Sequence, residues 1–223
     1  MAHKPNVFDS QTLPDSQGFA DTLVLQSHGM VAGETVAQWT QDWWTWALQS
    51  PAANSPMLDS TGANANVNNS GAMFFIGGSF GGDATRTFDV PAGKPLLVPV
   101  LNDLALQFTG KGPDPLTGGK GAANQVLTDW QHSVTNLFLN IDGNPVNNLQ
   151  SDLVRTDWFS AGTVQPGSLA ESFGLTGDLG PSKSDGYWVV VKSFAAGSTH
   201  TLEFGGSTSN GFSIDISDTI HVV

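Results

Sequence analysis

The chain has 223 residues, a net charge of −12, only eight Lys and Arg, and no cysteine. That length supports one substantial core. The shortage of cations excludes a nucleic-acid binder, since little is present to displace the counterions of a phosphate backbone. Anionic membrane surfaces are disfavoured for the same reason. No disulfide, thiolate metal site or thiol nucleophile can form.

Charged residues make up 13%, about half the usual share. Gly, Ser, Thr and Asn replace them, and these residues suit turns and the solvated faces of strands. No apolar run approaches the length of a bilayer span.

Residues 1–20 are polar and carry two prolines, which predicts a loosely docked arm ahead of a single domain over 21–223. The segment lacks an apolar stretch of the kind a secretory signal needs. "DTLVLQSHGM" reads as a short strand. "GETVAQWTQDWWTWALQSP" then predicts an amphipathic helix. At 100° per residue, Val36, Trp39, Thr40, Trp43, Trp44, Trp46 and Ala47 share one broad side, with Gln38, Gln41, Asp42 and Thr45 opposite. Pro51 closes it, because the residue before proline avoids helical dihedrals. Trp39 and Trp43 fall mid-face and read as core. Trp44 and Trp46 fall near opposite edges of that face, which makes them the candidate rings for a ligand or partner.

A long polar loop follows, and the apolar period then changes. "AMFFIGGSF", "ATRTFDV", "KPLLVPVLN", "LFLNI", "DLVRT", "YWVVVKSF", "THTLEF" and "GFSIDISDTIHVV" all read as strands. In the last, Phe212, Ile214, Ile216, Ile220 and Val222 share a face, with Ser213, Asp215, Ser217, Thr219 and His221 on the other. "IDGNP" signals a hairpin turn, because Asp-Gly tolerates positive φ. A second helix is expected in "GAANQVLTDWQHSVTN", where Val126, Leu127, Trp130 and Val134 align. The Gly/Pro-rich stretches "TGKGPDPLTGGKG" and "LTGDLGPSKSDG" read as loops. About eight mostly alternating strands and two helices predict a mainly β fold. The expected form is an antiparallel, jelly-roll-like β-sandwich with a Trp-rich helix packed on it.

Chemistry is sparse. "GGSFG" has the letters of a nucleophile elbow at Ser79, but a strand rather than a helix follows, so the serine reads as part of a turn. No catalytic residue is assigned. The histidines show no metal-ligand spacing. Calcium is the metal left open, since it accepts carboxylates and amide oxygens from irregular loops. Its candidate ligands are Asp178 and Asp185 in one loop and Asn102 with Asp103 in "PVLND". Arg86, a rare cation in a predicted strand, reads either as half of a buried ion pair or as an anion or partner contact.

Four stretches together resemble an uncharacterised bacterial protein family: "DWWTWALQSPAANSPMLDSTGAN", "GAMFFIGGSFGGDATRTFDVPAGKPLLVPVLN", "YWVVVKSFAAGSTHTLEFGG" and "FSIDISDTIHVV". The shared features are a W-W-x-W-A helix, a G-x-x-x-R-x-C-x-V-P-A-G-K stretch and a closing G-x-H-x-[IL]-x-F-G-G hairpin. They span roughly residues 39–106 and 187–223. No established activity comes with the family, so the resemblance implies no catalytic residue. It implies export, and it implies a pair of cysteines in relatives where this chain has Ala65 and Phe88, the pattern of a lost disulfide.

The expected function is a non-enzymatic extracellular or cell-surface protein that binds a glycan or a protein partner, or assembles with copies of itself. Strand edges poor in lysine would serve such pairing. The alternatives are a hydrolase of esters or glycosides, and a calcium-dependent binding module.

Overall fold

The computed structural model describes residues 18–25, 27, 29–112 and 118–223. Residues 1–17 of the expected arm and 113–117 of a Gly/Pro-rich loop lie outside the described residues, as do Gln26 and His28 of the first expected strand.

In chain order the elements are α1 (Phe19–Leu23), β1 (Val24–Leu25), β2 (Met30–Val31), β3 (Glu34–Thr35), α2 (Val36–Gln49), β4 (Phe74–Phe75), β5 (Gly82–Val90) and β6 (Leu96–Ala105). After them come α3 (Gly119–Ser133), β7 (Val134–Ile141), β8 (Asn144–Pro145), β9 (Leu153–Arg155), α4 (Leu169–Ser172), β10 (Lys183–Val191), β11 (Thr199–Thr208) and β12 (Ser213–Val222). The expected arm therefore ends earlier than residue 20: α1 has begun, and Ala20 is fully buried in the core.

Two five-stranded sheets form a β-sandwich. The inner sheet runs β1-β10-β6-β4, with β9 also paired to β10; the outer sheet runs β5-β12-β11-β7-β8. Pairing is antiparallel except for β4 with β6 and β5 with β12. Phe74, Val98 and Val189 of the inner sheet meet Phe204, Ile216 and Ile220 of the outer one. The opposite face of the inner sheet carries Leu97, Trp188 and Val190, and α2 lies across it. With both its faces covered, the inner sheet's β10 is buried from Ser184 to Val191. A strand buried on both sides reads as a continuous apolar run rather than an alternating one, and "YWVVV" does.

The start and end of α2 follow from local chemistry. Thr35 accepts from the Gln38 backbone N–H while the Gln38 side chain accepts from the Thr35 N–H, a reciprocal cap that satisfies two orphan donors. Ser50 bonds back to the Trp46 carbonyl, and Pro51 prevents another turn.

All four tryptophans of α2 are buried, Trp44 and Trp46 as deeply as Trp39, which corrects their expected place at the exposed edges. The helix is covered on its flanks as well as beneath. Each indole N–H finds an acceptor: Trp39 at Val31 O (2.7 Å), Trp43 at Ile76 O (2.8 Å), Trp44 at Ser184 Oγ (2.7 Å) and Trp46 at Val67 O (2.9 Å). Burying an indole is favourable once its one donor is matched. Trp43 is the hub, packing against Trp44, Trp46 and Trp188 at centroid distances of 5.0, 5.9 and 5.1 Å.

Two further expectations are corrected. The second helix buries Ala123 and Leu127 but leaves Val126 exposed, and it ends at Ser133, so that Val134 opens β7. On β12 the inward face also holds Asp218, while Phe212 lies before the strand and is 37% exposed. The Asp142-Gly143 turn forms as read, both residues taking positive φ between β7 and β8.

Replacing Trp43 with Ala empties the centre of the aromatic layer and should cost about 3–5 kcal/mol. Trp44→Ala and Trp46→Ala belong in the same range, because both rings are buried and bonded. Urea denaturation of the three single variants checks this.

Candidate functional site

β4 pairs with β6 only at Leu96 and Leu97. Beyond that point no strand among the described residues pairs with β6 on this side, and a cavity of about 320 Å³ opens along its edge. Pro99, Leu101, Asn102, Asp103 and Leu104 all line it. Leu101 belongs to the core between the sheets and Leu104 packs on the tryptophan layer. Side chains from both faces of a strand can share one cavity only if that cavity meets the strand edge-on.

The edge is obstructed for strand pairing at Pro99 and at Leu104. Pro99 has no N–H to donate. The Leu104 N–H donates to Asp103 Oδ1 (2.9 Å), and the Leu104 carbonyl accepts from Leu106 (2.9 Å). What remains open is the space between the layers, with Trp43 and Trp44 of α2 on one side and Ile214 of β12 on the other.

Three phenylalanines from separate parts of the chain stand around this cleft: Phe80 after β4, Phe173 after α4, and Phe212 before β12. They are 52%, 43% and 37% exposed. Phe80 and Phe173 meet at right angles with centroids 5.4 Å apart. Scattered exposed rings are ordinary, whereas rings gathered on an apolar cavity mark an interaction site.

The polar groups in the cleft are few. Ser79 is half-buried, and its hydroxyl is held in its own turn by Gly81. The side-chain amide of Asn102 makes no hydrogen bond to a described residue. Beside it, over Gly186, lies Trp188 Nε1, buried and also without a partner among the described residues. Asp103 uses one oxygen on the Leu104 N–H and enters no ion pair with a described residue. Burial pushes its carboxyl above the usual range, and Asp185, directly opposite on β10, adds to the rise. Burial likewise raises Asp185, although Arg155 and Lys183 pull it back. Among the described residues lining the cleft there is no Lys, Arg or His.

Arg86 takes the ion-pair role. Its Nε and Nη2 bind the two oxygens of Asp218 at 2.7 Å each, and Nη2 also donates to the Gly77 carbonyl at 2.8 Å. Both side chains are buried, at 4% and 0% exposure. Nε and Nη2 are spent inside the protein, the side chain is buried, and Arg86 does not line the cleft. The pair does hold the cleft's wall: Gly77 precedes Gly78, Ser79 and Phe80, and a Cβ at Gly77 would sit 3.0 Å from Arg86 Nη1.

The residues proposed for calcium do not converge. Asp103 and Asp185 face each other across β6 and β10, but Asn102 sits opposite Gly186 on the other face of the sheet. Asp178 is exposed in an isolated bridge with Thr163, whose hydroxyl donates to it. No group of three or more His, Cys, Asp or Glu among the described residues is placed to hold a metal. Of the two ring candidates, Trp44 lines the cleft and Trp46 does not.

One constellation was invisible in the sequence. Ser198 Oγ lies 2.9 Å from His200 Nε2, and His200 Nδ1 lies 2.7 Å from Asp142 Oδ2. These are triad distances, but the surroundings serve the turn. The Ser198 hydroxyl donates to Ala195 O at 2.6 Å, so its proton points away from the imidazole. The N–H groups of Gly197 and Ser198 are spent on Val222 O and Ala195 O, so neither is free for an oxyanion. His200 is stacked on Phe194 at 3.7 Å. The three side chains clasp the loop before β11 to the β7–β8 turn. The Ser-x-His pair was legible in the sequence, but Asp142 joins it only through the fold.

Two measurements follow. Arg86→Leu leaves the Asp218 carboxylate buried alone and should cost about 3–5 kcal/mol, whereas Arg86→Leu combined with Asp218→Leu should recover most of that loss in denaturant melts. The second concerns Asp103, whose folded pKa is raised. The folded state holds a proton that the unfolded chain has already released, so stability falls as pH climbs from about 3.9 through the folded value and is flat above it. Asp103→Asn removes this penalty and keeps an oxygen for the Leu104 N–H. The variant should melt higher than the parent at neutral pH, with the gap closing in acid.

Comparison with family models, with curated proteins and with solved structures finds no match for this chain.

Proposed function

We propose that the protein is a non-enzymatic binding module whose site is the cleft along the free edge of β6. The observation that carries this reading is the gathering of Phe80, Phe173 and Phe212, all exposed, around a cavity walled by Trp43 and Trp44. Keeping three large rings in water costs solvation that a ligand would recover. At about 320 Å³ the cavity stands at the small end of ligand sites. Its lining is mostly apolar, with Ser79, Asn102 and Asp103 as its polar side chains. Such a lining suits a small ligand with an apolar body better than a sugar, whose many hydroxyls would each need a partner. The acidic, cysteine-free composition supports placing this activity outside the cell or at its surface.

The hydrolase reading has one observation in its favour, the Ser198–His200–Asp142 chain. The committed Ser198 proton and the engaged N–H groups of Gly197 and Ser198 weigh against it.

Toluene added to the full chain should shift the indole N–H resonance of Trp44 and the methyl resonances of Leu101, Leu104 and Ile214. The double variant Phe80→Ser with Phe173→Ser should lose that response while its melting temperature stays within about 2 °C, because both rings are exposed. If neither small apolar compounds nor their cationic counterparts move these resonances, the cleft is not a ligand site. Turnover of nitrophenyl esters that disappears in Ser198→Ala would replace the binding reading with the hydrolase one.

A further inference from the structure

Building on the cleft as a binding site, we infer that its ligand carries a quaternary ammonium head group, seated among the aromatic rings and against Asp103. Charge sets the first requirement. Asp103 lines an apolar cavity and is paired with no cation among the described residues. Its neighbour across the strands, Asp185, has Arg155 at 3.2 Å. Of the two facing carboxyls, the one in the cleft is the one with no counter-ion among the described residues. A carboxylate in such surroundings is costly unless a positive charge meets it, and here the ligand must supply that charge.

The walls say which cation. Trp43 and Trp44 stand at 89° to each other and Phe80 and Phe173 at 90°, so the rings face in several directions around one small space. An occupant of so small a cavity touches several of them at once, inside the ~6 Å range over which a ring face attracts a cation. A primary ammonium brings three N–H donors that all require acceptors. The cleft offers the second oxygen of Asp103 and the Asn102 amide, but few further acceptors. A trimethylammonium group has no donor to satisfy. It presents methyl surface to the rings while its charge meets the carboxylate. A ligand that also carried phosphate would find no Lys, Arg or His among the described lining residues, and it would meet a chain of net charge −12. The inference is therefore a free quaternary amine rather than a phosphate ester.

The test compares choline with ethanolamine, with dimethylbutanol as the neutral isostere, and with phosphocholine. Each is titrated into the full chain while the Trp44 indole resonance is followed. Choline should bind at least about tenfold more tightly than the other three, the margin expected of a desolvated cation–aromatic contact. Asp103→Asn, which keeps an acceptor for the Leu104 N–H, should abolish the preference of choline over dimethylbutanol. Phe80→Ser with Phe173→Ser should weaken choline without altering the melt. Dimethylbutanol binding as tightly as choline, phosphocholine binding more tightly, or a choline affinity unmoved by Asp103→Asn would each overturn the inference. So would choline failing where toluene still binds, and in that case the cleft remains a site for neutral ligands. If neither toluene nor choline moves a cleft resonance, the binding reading falls together with this one.

Discussion

The ion pair between Arg86 and Asp218 is the constraint on which the functional region depends. Two charges buried between the sheets stabilise the fold only if their geometry is complete, and here both carboxylate oxygens and two guanidinium nitrogens are engaged. The third bond of Arg86, to Gly77, extends the pair's influence past the sheet. It fixes the chain where β4 has ended, while Trp43 holds the preceding carbonyl of Ile76 from the other side. Gly77 is thus pinned between the two layers. Phe80 is displayed three residues further on, at a place set by a buried charge and a buried indole.

The cleft exists because β4 is short. Had it continued beside β6, the edge from Pro99 to Leu104 would be covered and the sandwich would have no such opening. Natural sheets often protect a free edge with proline or with charge. Both devices occur here, in Pro99 and in the Asp103 oxygen that caps the Leu104 N–H. That protection separates this cleft from a surface where another chain adds a strand, and leaves its side chains to define what enters.

Local signals carried most of the architecture. The helical period around Trp43 and the turn chemistry of Asp142-Gly143 depend on residues close in sequence and read correctly from the chain alone, as does the alternation of β12 from Ile214 onward apart from Asp218. What failed was partnership across distance. A helical projection places Trp44 and Trp46 at the edges of a face. It has no means of showing that β10 would offer Ser184 to one indole and the loop after Met57 would offer Val67 to the other. Asp218 interrupts an apolar face in a way that alternation alone does not explain, and its reason lies on β5. Of the candidate residues, Trp44 and Asp103 meet at the cleft and Asn102 joins them, although these were singled out for different purposes. The phenylalanines at its mouth gave no sequence signal, because an exposed ring and a core ring are written with the same letter.

The parallel pairing of β5 with β12 bears on how the molecule assembles. Arg86 and Asp218 are separated by 132 residues, and a parallel partner cannot be reached through a tight turn. Closing so long a loop loses chain entropy before any contact compensates for it, and folds dominated by such contacts form slowly. β11 and β12 can meet as a neighbouring hairpin, but β5 must wait for them. The wall that Arg86 secures through Gly77 waits as well. The cleft's wall therefore rests on a contact that exists only when the two ends of a long excursion of the chain have met.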